Sequence, residues 1–68
     1  MKVKVNRRTL DIFEGATARN ALLRYFKLRK FDLSLVEKVE VFDAWGHPID
    51  LDAPLSEGKI IKYKFREK

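Results

Sequence analysis

Polar and apolar residues alternate at both ends of this chain. Lys2-Val3-Lys4-Val5 alternates, Asn6-Arg7-Arg8 interrupts, and Thr9-Leu10-Asp11-Ile12-Phe13 alternates again. A period of two with a short polar break predicts a β-hairpin. One face carries Val3, Val5, Leu10 and Ile12, and the other carries Lys2, Lys4, Thr9, Asp11 and Phe13. At the far end Ile61, Tyr63 and Phe65 alternate with Lys62, Lys64 and Arg66, which predicts a final strand. In between, Lys38-Val39-Glu40-Val41-Phe42 predicts a third strand with Val39 and Val41 inward, and His47-Pro48-Ile49-Asp50-Leu51 a short one. Proline cannot donate to a ladder, so that short strand belongs at an edge.

The period changes after Glu14-Gly15-Ala16. Ala18, Ala21, Leu22 and Tyr25 recur at i, i+3, i+4 and i+7, the stripe of a helix placed at about 17–29. Thr17 stands where an N-cap is needed, with Asn20 three residues on as a substitute for the acid of a capping box. Lys27, Arg29 and Lys30 load the C-terminal end, where cations suit the helix dipole. Phe31, Leu33, Leu35 and Val36 form an apolar cluster expected to plug the space between helix and sheet. Turns fall at Asp43-Ala44-Trp45-Gly46, Asp52-Ala53-Pro54-Leu55 and Ser56-Glu57-Gly58-Lys59. The order is strand, strand, helix, strand, short strand, strand. It predicts one α+β domain over 1–68, with first and last strands paired at the centre of the sheet and the helix across one side.

Composition narrows the chemistry. A chain of 68 residues holds one core, and domains this small bury only roughly 60% of their unfolded surface. With no Cys and one His, neither a disulfide nor zinc is expected as a staple, so the 46% apolar residues must hold the core unaided. No apolar stretch approaches the roughly 18 residues of a membrane span, and the charged, alternating N-terminus is unlike a signal peptide. A cytoplasmic location is the expectation, with no membrane and no metal among its partners and no cofactor.

His47 is the sole imidazole. Acid–base or nucleophilic catalysis would need a second reactive group within hydrogen-bond reach, and the neighbouring Asp43 and Asp50 fit an ordinary loop better. Asp50 and Asp52 read as turn carboxylates, and the isolated Gly15, Gly46 and Gly58 make no phosphate loop. No enzymatic activity is expected. Trp45, at a hairpin tip, either folds back over the core edge or makes a binding contact, a role in which Trp is enriched.

The ordered set of motifs resembles the ubiquitin-like (β-grasp) sulfur carriers, the ThiS- and MoaD-like proteins. The residues that carry the resemblance are Asn6 at the hairpin turn, Phe13-Glu14-Gly15-Ala16-Thr17 with Asn20-Ala21-Leu22-Leu23, and Pro54-Leu55-Ser56-Glu57-Gly58-Lys59-Ile60 before the last strand. Lys59 replaces the Asp usual in that family. The resemblance implies an α+β, ubiquitin-like β-grasp fold: a mixed four- to five-stranded sheet with one helix on one face. Such sulfur carriers end in Gly-Gly, whose carboxylate is adenylated and converted to a thiocarboxylate. This chain ends Phe65-Arg66-Glu67-Lys68. Sulfur transfer is therefore not expected unless the chain is one domain of a longer protein. The TGS domains attached to synthetases and GTPases resemble it too, through the Gly-Ala-Thr helix start and the Gly before the last strand, and imply an RNA-binding accessory role as an alternative.

If first and last strands are neighbours, as the resemblance implies, Lys2, Lys4, Lys62, Lys64 and Arg66 share the face opposite the helix. Lys38 lies close by, with Phe42, and Phe13 as a further candidate, at the border. The net charge of +5, from 15 Lys and Arg against 10 Asp and Glu, suits an acidic protein or a phosphate backbone, or is simply solvated. Single-stranded RNA is usually read by stacked aromatic side chains, and only Phe42 is placed to serve, beside the repelling Glu40 and Asp11. The expectation is a non-catalytic module that binds an acidic protein surface through Lys2, Lys4, Lys38, Phe42, Trp45, Lys62, Lys64 and Arg66, with RNA second.

Overall fold

In the computed structural model, which describes residues 1–65, the alternating segments become five strands. They are β1 (Lys2–Val5), β2 (Arg8–Asp11), β3 (Val39–Asp43), β4 (Pro48–Ile49) and β5 (Ile60–Phe65). One helix, α1 (Ala18–Leu28), and one 3-10 turn (Leu33–Lys38) complete the elements of the described residues. The sheet order is β2-β1-β5-β3-β4. β1 and β5 run parallel at the centre, and the other three pairings are antiparallel. This is an α+β, mixed five-stranded sheet with one helix on one face, the β-grasp arrangement.

The face assignments hold because the pleat leaves little choice. Val3, Val5, Leu10, Val39, Val41 and Ile61 point inward and are buried against Ala18, Ala21, Leu22, Tyr25 and Phe26 of α1. Phe26, which the stripe of the sequence did not include, is the largest fully buried side chain. Its ring lies 5.4 Å from both Phe31 and Tyr63 and 6.3 Å from Phe65. Phe65 takes the inward row opposite Val39 as expected, yet it stays 47% exposed because it sits at the end of its strand.

The helix start is fully accounted for. Thr17 and Asn20 form a reciprocal capping box, and the Ala18 and Arg19 N–H groups donate to the carbonyls of Ala53 and Leu51 at 3.0 and 2.8 Å. The Ala21 N–H donates to the Thr17 carbonyl. All four donors that a helix leaves open at its N-terminus are thus engaged within the chain, and none is free for an anion.

Two expectations shift. The segment after α1 is a 3-10 turn capped by the Asp32 carboxylate on the Ser34 N–H. It brings Val36 into the core and half-buries Phe31 and Leu35, while Leu33 stays 44% exposed. Lys38 closes this turn and is no part of β3, and the short strand shrinks to Pro48–Ile49. The reason is geometric: Pro48 offers no N–H, and β4 meets β3 only through Val41–Ile49 and Phe42–Pro48.

Candidate functional site

The helix covers one side of the sheet, and the register fixes what stands on the other. Lys4 pairs with Thr9 on β2 and Ile60 on β5. Lys62 pairs with Phe42, Lys64 with Glu40, and Lys2 with Asp11. Lys2, Lys4, Lys62 and Lys64 are all exposed. Because Lys4 is level with Ile60, the four lysines form a staggered stripe, Lys2 and Lys4 on β1 and then Lys62 and Lys64 further along β5, and not a tight cluster. Cations outnumber carboxylates four to two on this face. Phe42, half-buried on β3, stands beside the two β5 lysines, with the Lys64 Nζ 5.6 Å from its ring centroid, close enough for a cation–π contact.

Magnitude decides what the stripe means for the free protein. Unit charges about 8 Å apart in water repel by about 0.5 kcal/mol. The fold therefore tolerates the stripe unaided, and the charge remains solvated and available to attract an approaching anion over roughly a Debye length, about 8 Å at physiological salt.

The other expected residues scatter. Lys38 sits beside the end of the sheet where β5 finishes, Val39 being level with Phe65. Trp45 sits in the β3–β4 turn beyond the opposite end, where Asp43 is level with Ile61, and at 79% exposure it does not fold back on the core. The two ends of β3 are about 13 Å apart at the strand rise of 3.3 Å per residue, so Lys38 and Trp45 lie beyond opposite ends of the lysine face. Arg66 lies outside the described residues. Phe13 does not border the lysine stripe. It lies past the end of β2, 62% exposed, and lines a groove against α1.

The Trp45 turn is held by one carboxylate. Asp43 Oδ1 accepts from the Trp45 and His47 N–H groups, each at 2.9 Å, and Oδ2 lies 3.5 Å from His47 Nδ1. The hydrogen bond from the His47 N–H, followed by that from Trp45, outweighs partial desolvation and holds the Asp43 carboxyl below its ordinary value of 3.8. A carboxyl with a depressed folded-state value contributes stability above the unfolded value, and loses it as pH falls through the folded one. We expect Trp45 fluorescence to report loosening of this turn below pH 4, before the core melts, and Asp43→Asn to remove that step. An unchanged acid transition in Asp43→Asn is the contrary result.

Among the described residues no group of three or more His, Asp or Glu side chains is placed to hold a metal ion, and no helix is long and apolar enough to cross a membrane. No protein-family profile matches this chain, and no curated protein matches it significantly.

Proposed function

We propose that this domain is a non-catalytic, ubiquitin-like binding module, a relative of the ThiS- and MoaD-like sulfur carriers, whose open sheet face docks on an acidic protein surface. One observation carries the reading: the face left bare by α1 presents four exposed lysines in a stripe, with the half-buried Phe42 beside Lys62 and Lys64 at its β5 end. A rigid sheet fixes the spacing of those charges, so binding does not have to order the backbone first. Electrostatic complementarity of this kind raises association rates and rejects like-charged partners more than it adds affinity. A protein is favoured over RNA because the face offers one aromatic ring where stacking on bases would need several, and because Glu40 and Asp11 interrupt the positive charge.

The test is the triple variant Lys4→Glu, Lys62→Glu, Lys64→Glu, compared with the wild type by affinity capture from cell extract. Loss of the wild-type partners with the fold retained is expected, the melting temperature falling by a few degrees because Lys64→Glu places a carboxylate opposite Glu40, and an unchanged partner set removes this face from the account. Mixed single-stranded RNA supplies the second arm. Four phosphate contacts predict binding that falls about 50-fold between 50 and 200 mM salt. Tight RNA binding persisting at physiological salt would reverse the preference for protein.

A further inference from the structure

Six side chains of this protein carry a hydroxyl, and five of them are committed or poorly placed for further chemistry. Thr17 caps α1 through its reciprocal bonds with Asn20. Ser34 donates its hydroxyl to the Asp32 carboxylate at 2.9 Å, and Ser56 directly precedes Glu57, so an anionic group on either would meet a carboxylate. Tyr25 is buried, and Tyr63 is half-buried with its ring 5.7 Å from that of Tyr25. Thr9 differs on each count. It is exposed, it follows the exposed Arg7 and Arg8, and it stands on the lysine face, level with Lys4.

β2 is the outer strand on its side of the sheet. Met1 and Ile12 exchange both of their backbone bonds, at 2.7 and 2.9 Å, and in an antiparallel ladder bonded and non-bonded residue pairs alternate. Lys2–Asp11 and Lys4–Thr9 are therefore non-bonded pairs. The N–H and C=O of Thr9 consequently point away from the sheet, open to an enzyme that grips an extended segment. The Thr9 side chain stands about 4.5–5.5 Å, Cβ to Cβ, from that of Lys4, the distance at which opposite charges attract across strands. Lys2 lies on the diagonal, about 7–8 Å away. Asp11, two residues along the same face, is already opposite Lys2.

The geometry points to Thr9 as a phosphorylation site that switches the lysine face off, an inference that rests on the docking reading given above. Arg7 and Arg8 are the charge determinants for a protein kinase with an acidic cleft, the kind of pattern by which kinases choose substrates. In the reaction Thr9 Oγ1 attacks the γ-phosphorus of ATP. A P–O bond to the threonine forms, the bond from that phosphorus to the β–γ bridging oxygen breaks, ADP leaves, and the hydroxyl proton passes to the kinase's catalytic carboxylate. The new group carries about −1.5 to −2 charge at neutral pH. Set among four lysines and two carboxylates, it brings the face from net positive to near neutral. It also engages Lys4, so an acidic partner loses that cation and meets a phosphate beside it.

Total synthesis of the 68-residue chain with phosphothreonine at position 9 gives a fully modified sample. The probe for the lysine face is a fluorescein-labelled peptide of eight glutamates, followed by anisotropy at low salt. The wild type is expected to bind it, the Lys4→Glu, Lys62→Glu, Lys64→Glu variant not to, and the phosphorylated chain to bind at least about 10-fold more weakly than the wild type. Phosphorylation should shift the NMR signals of Lys4 and Lys2 and leave those of α1 in place, which shows the fold retained. Thr9→Val keeps a good strand residue and adds no charge, so it should bind within about 3-fold of the wild type. Incubated with ATP and an arginine-directed serine/threonine kinase, the wild type should gain one phosphate, mapped to Thr9 by fragmentation, and Thr9→Val none. No incorporation, or incorporation at Ser34 or Ser56, overturns the site. Unchanged peptide binding by the phosphorylated chain, where the lysine variant has lost it, overturns the switch and leaves the docking reading standing. A wild type that binds the peptide no better than the lysine variant overturns the docking reading and the switch with it.

Discussion

Phe26→Ala is expected to remove about half of the domain's stability or more at 25 °C. Removing a fully buried phenyl ring costs about 3–5 kcal/mol, from lost transfer energy and from the cavity left behind. A domain of 68 residues, at about 0.05–0.15 kcal/mol per residue, has on the order of 3–10 kcal/mol in total. The environment of Phe26 puts the cost at the upper end. Phe31, Tyr63, Tyr25 and Phe65 all lie with ring centroids within 6.3 Å of it, so several edge-to-face and offset contacts disappear together. A urea midpoint at about half the wild-type value or lower, with a matching fall in melting temperature, would register this. Phe13→Ala, which truncates an exposed ring, is the control and should change stability by less than about 1 kcal/mol. A Phe26→Ala protein that melts within a few degrees of the wild type would refute the packing described.

The second large effect separates two adjacent residues. Ile61 is fully buried and paired with Val5, whereas Ile60 is half-buried and stands opposite Lys4 on the open face. Ile61→Asp removes about 2–5 kcal/mol of packing and adds the cost of a carboxyl with no partner in the core, several kcal/mol even after its proton affinity adjusts. That is comparable to the whole stability of about 3–10 kcal/mol, and the variant should be largely unfolded. Ile60→Asp should cost about 1 kcal/mol, because the new carboxylate meets water and the Lys4 ammonium across the strands. Thermal melts of the pair test the register itself, since a slip of one residue would exchange the two outcomes.

The strands and helix were legible because their chemistry is local. Period two in residues 2–5, 9–13 and 61–65 and the i, i+3, i+4 stripe from Ala18 state which side of each element is apolar. Phe26 was within reach of the same reasoning, four residues beyond Leu22 on the same face. The 3-10 turn was not, because a run of apolar residues does not reveal that Asp32 caps it and turns Leu33 outward. The lysine face was legible only as far as period two carries. Its stagger comes from Lys4 lying level with Ile60, a register that joins residues far apart in sequence. The groove beside β2 left no mark in any window, because Phe13, Leu23 and Leu33 lie ten residues apart and meet only when α1 settles on the sheet.

The parallel seam between β1 and β5 also decides how the molecule answers a mechanical load. Met1 begins at one end of the seam and Phe65 finishes at the other, with Gly58 N–H to Lys2, Lys4 N–H to Lys59 and Asn6 N–H to Ile61 bonded across at 2.7–2.9 Å. Tension applied at those two residues runs along both strands in opposite directions, so it loads these bonds together, in shear. A hairpin pulled at its two ends opens one bond after another. Here the bridges must give way almost simultaneously, so rupture force should be high for so small a domain whatever its modest equilibrium stability.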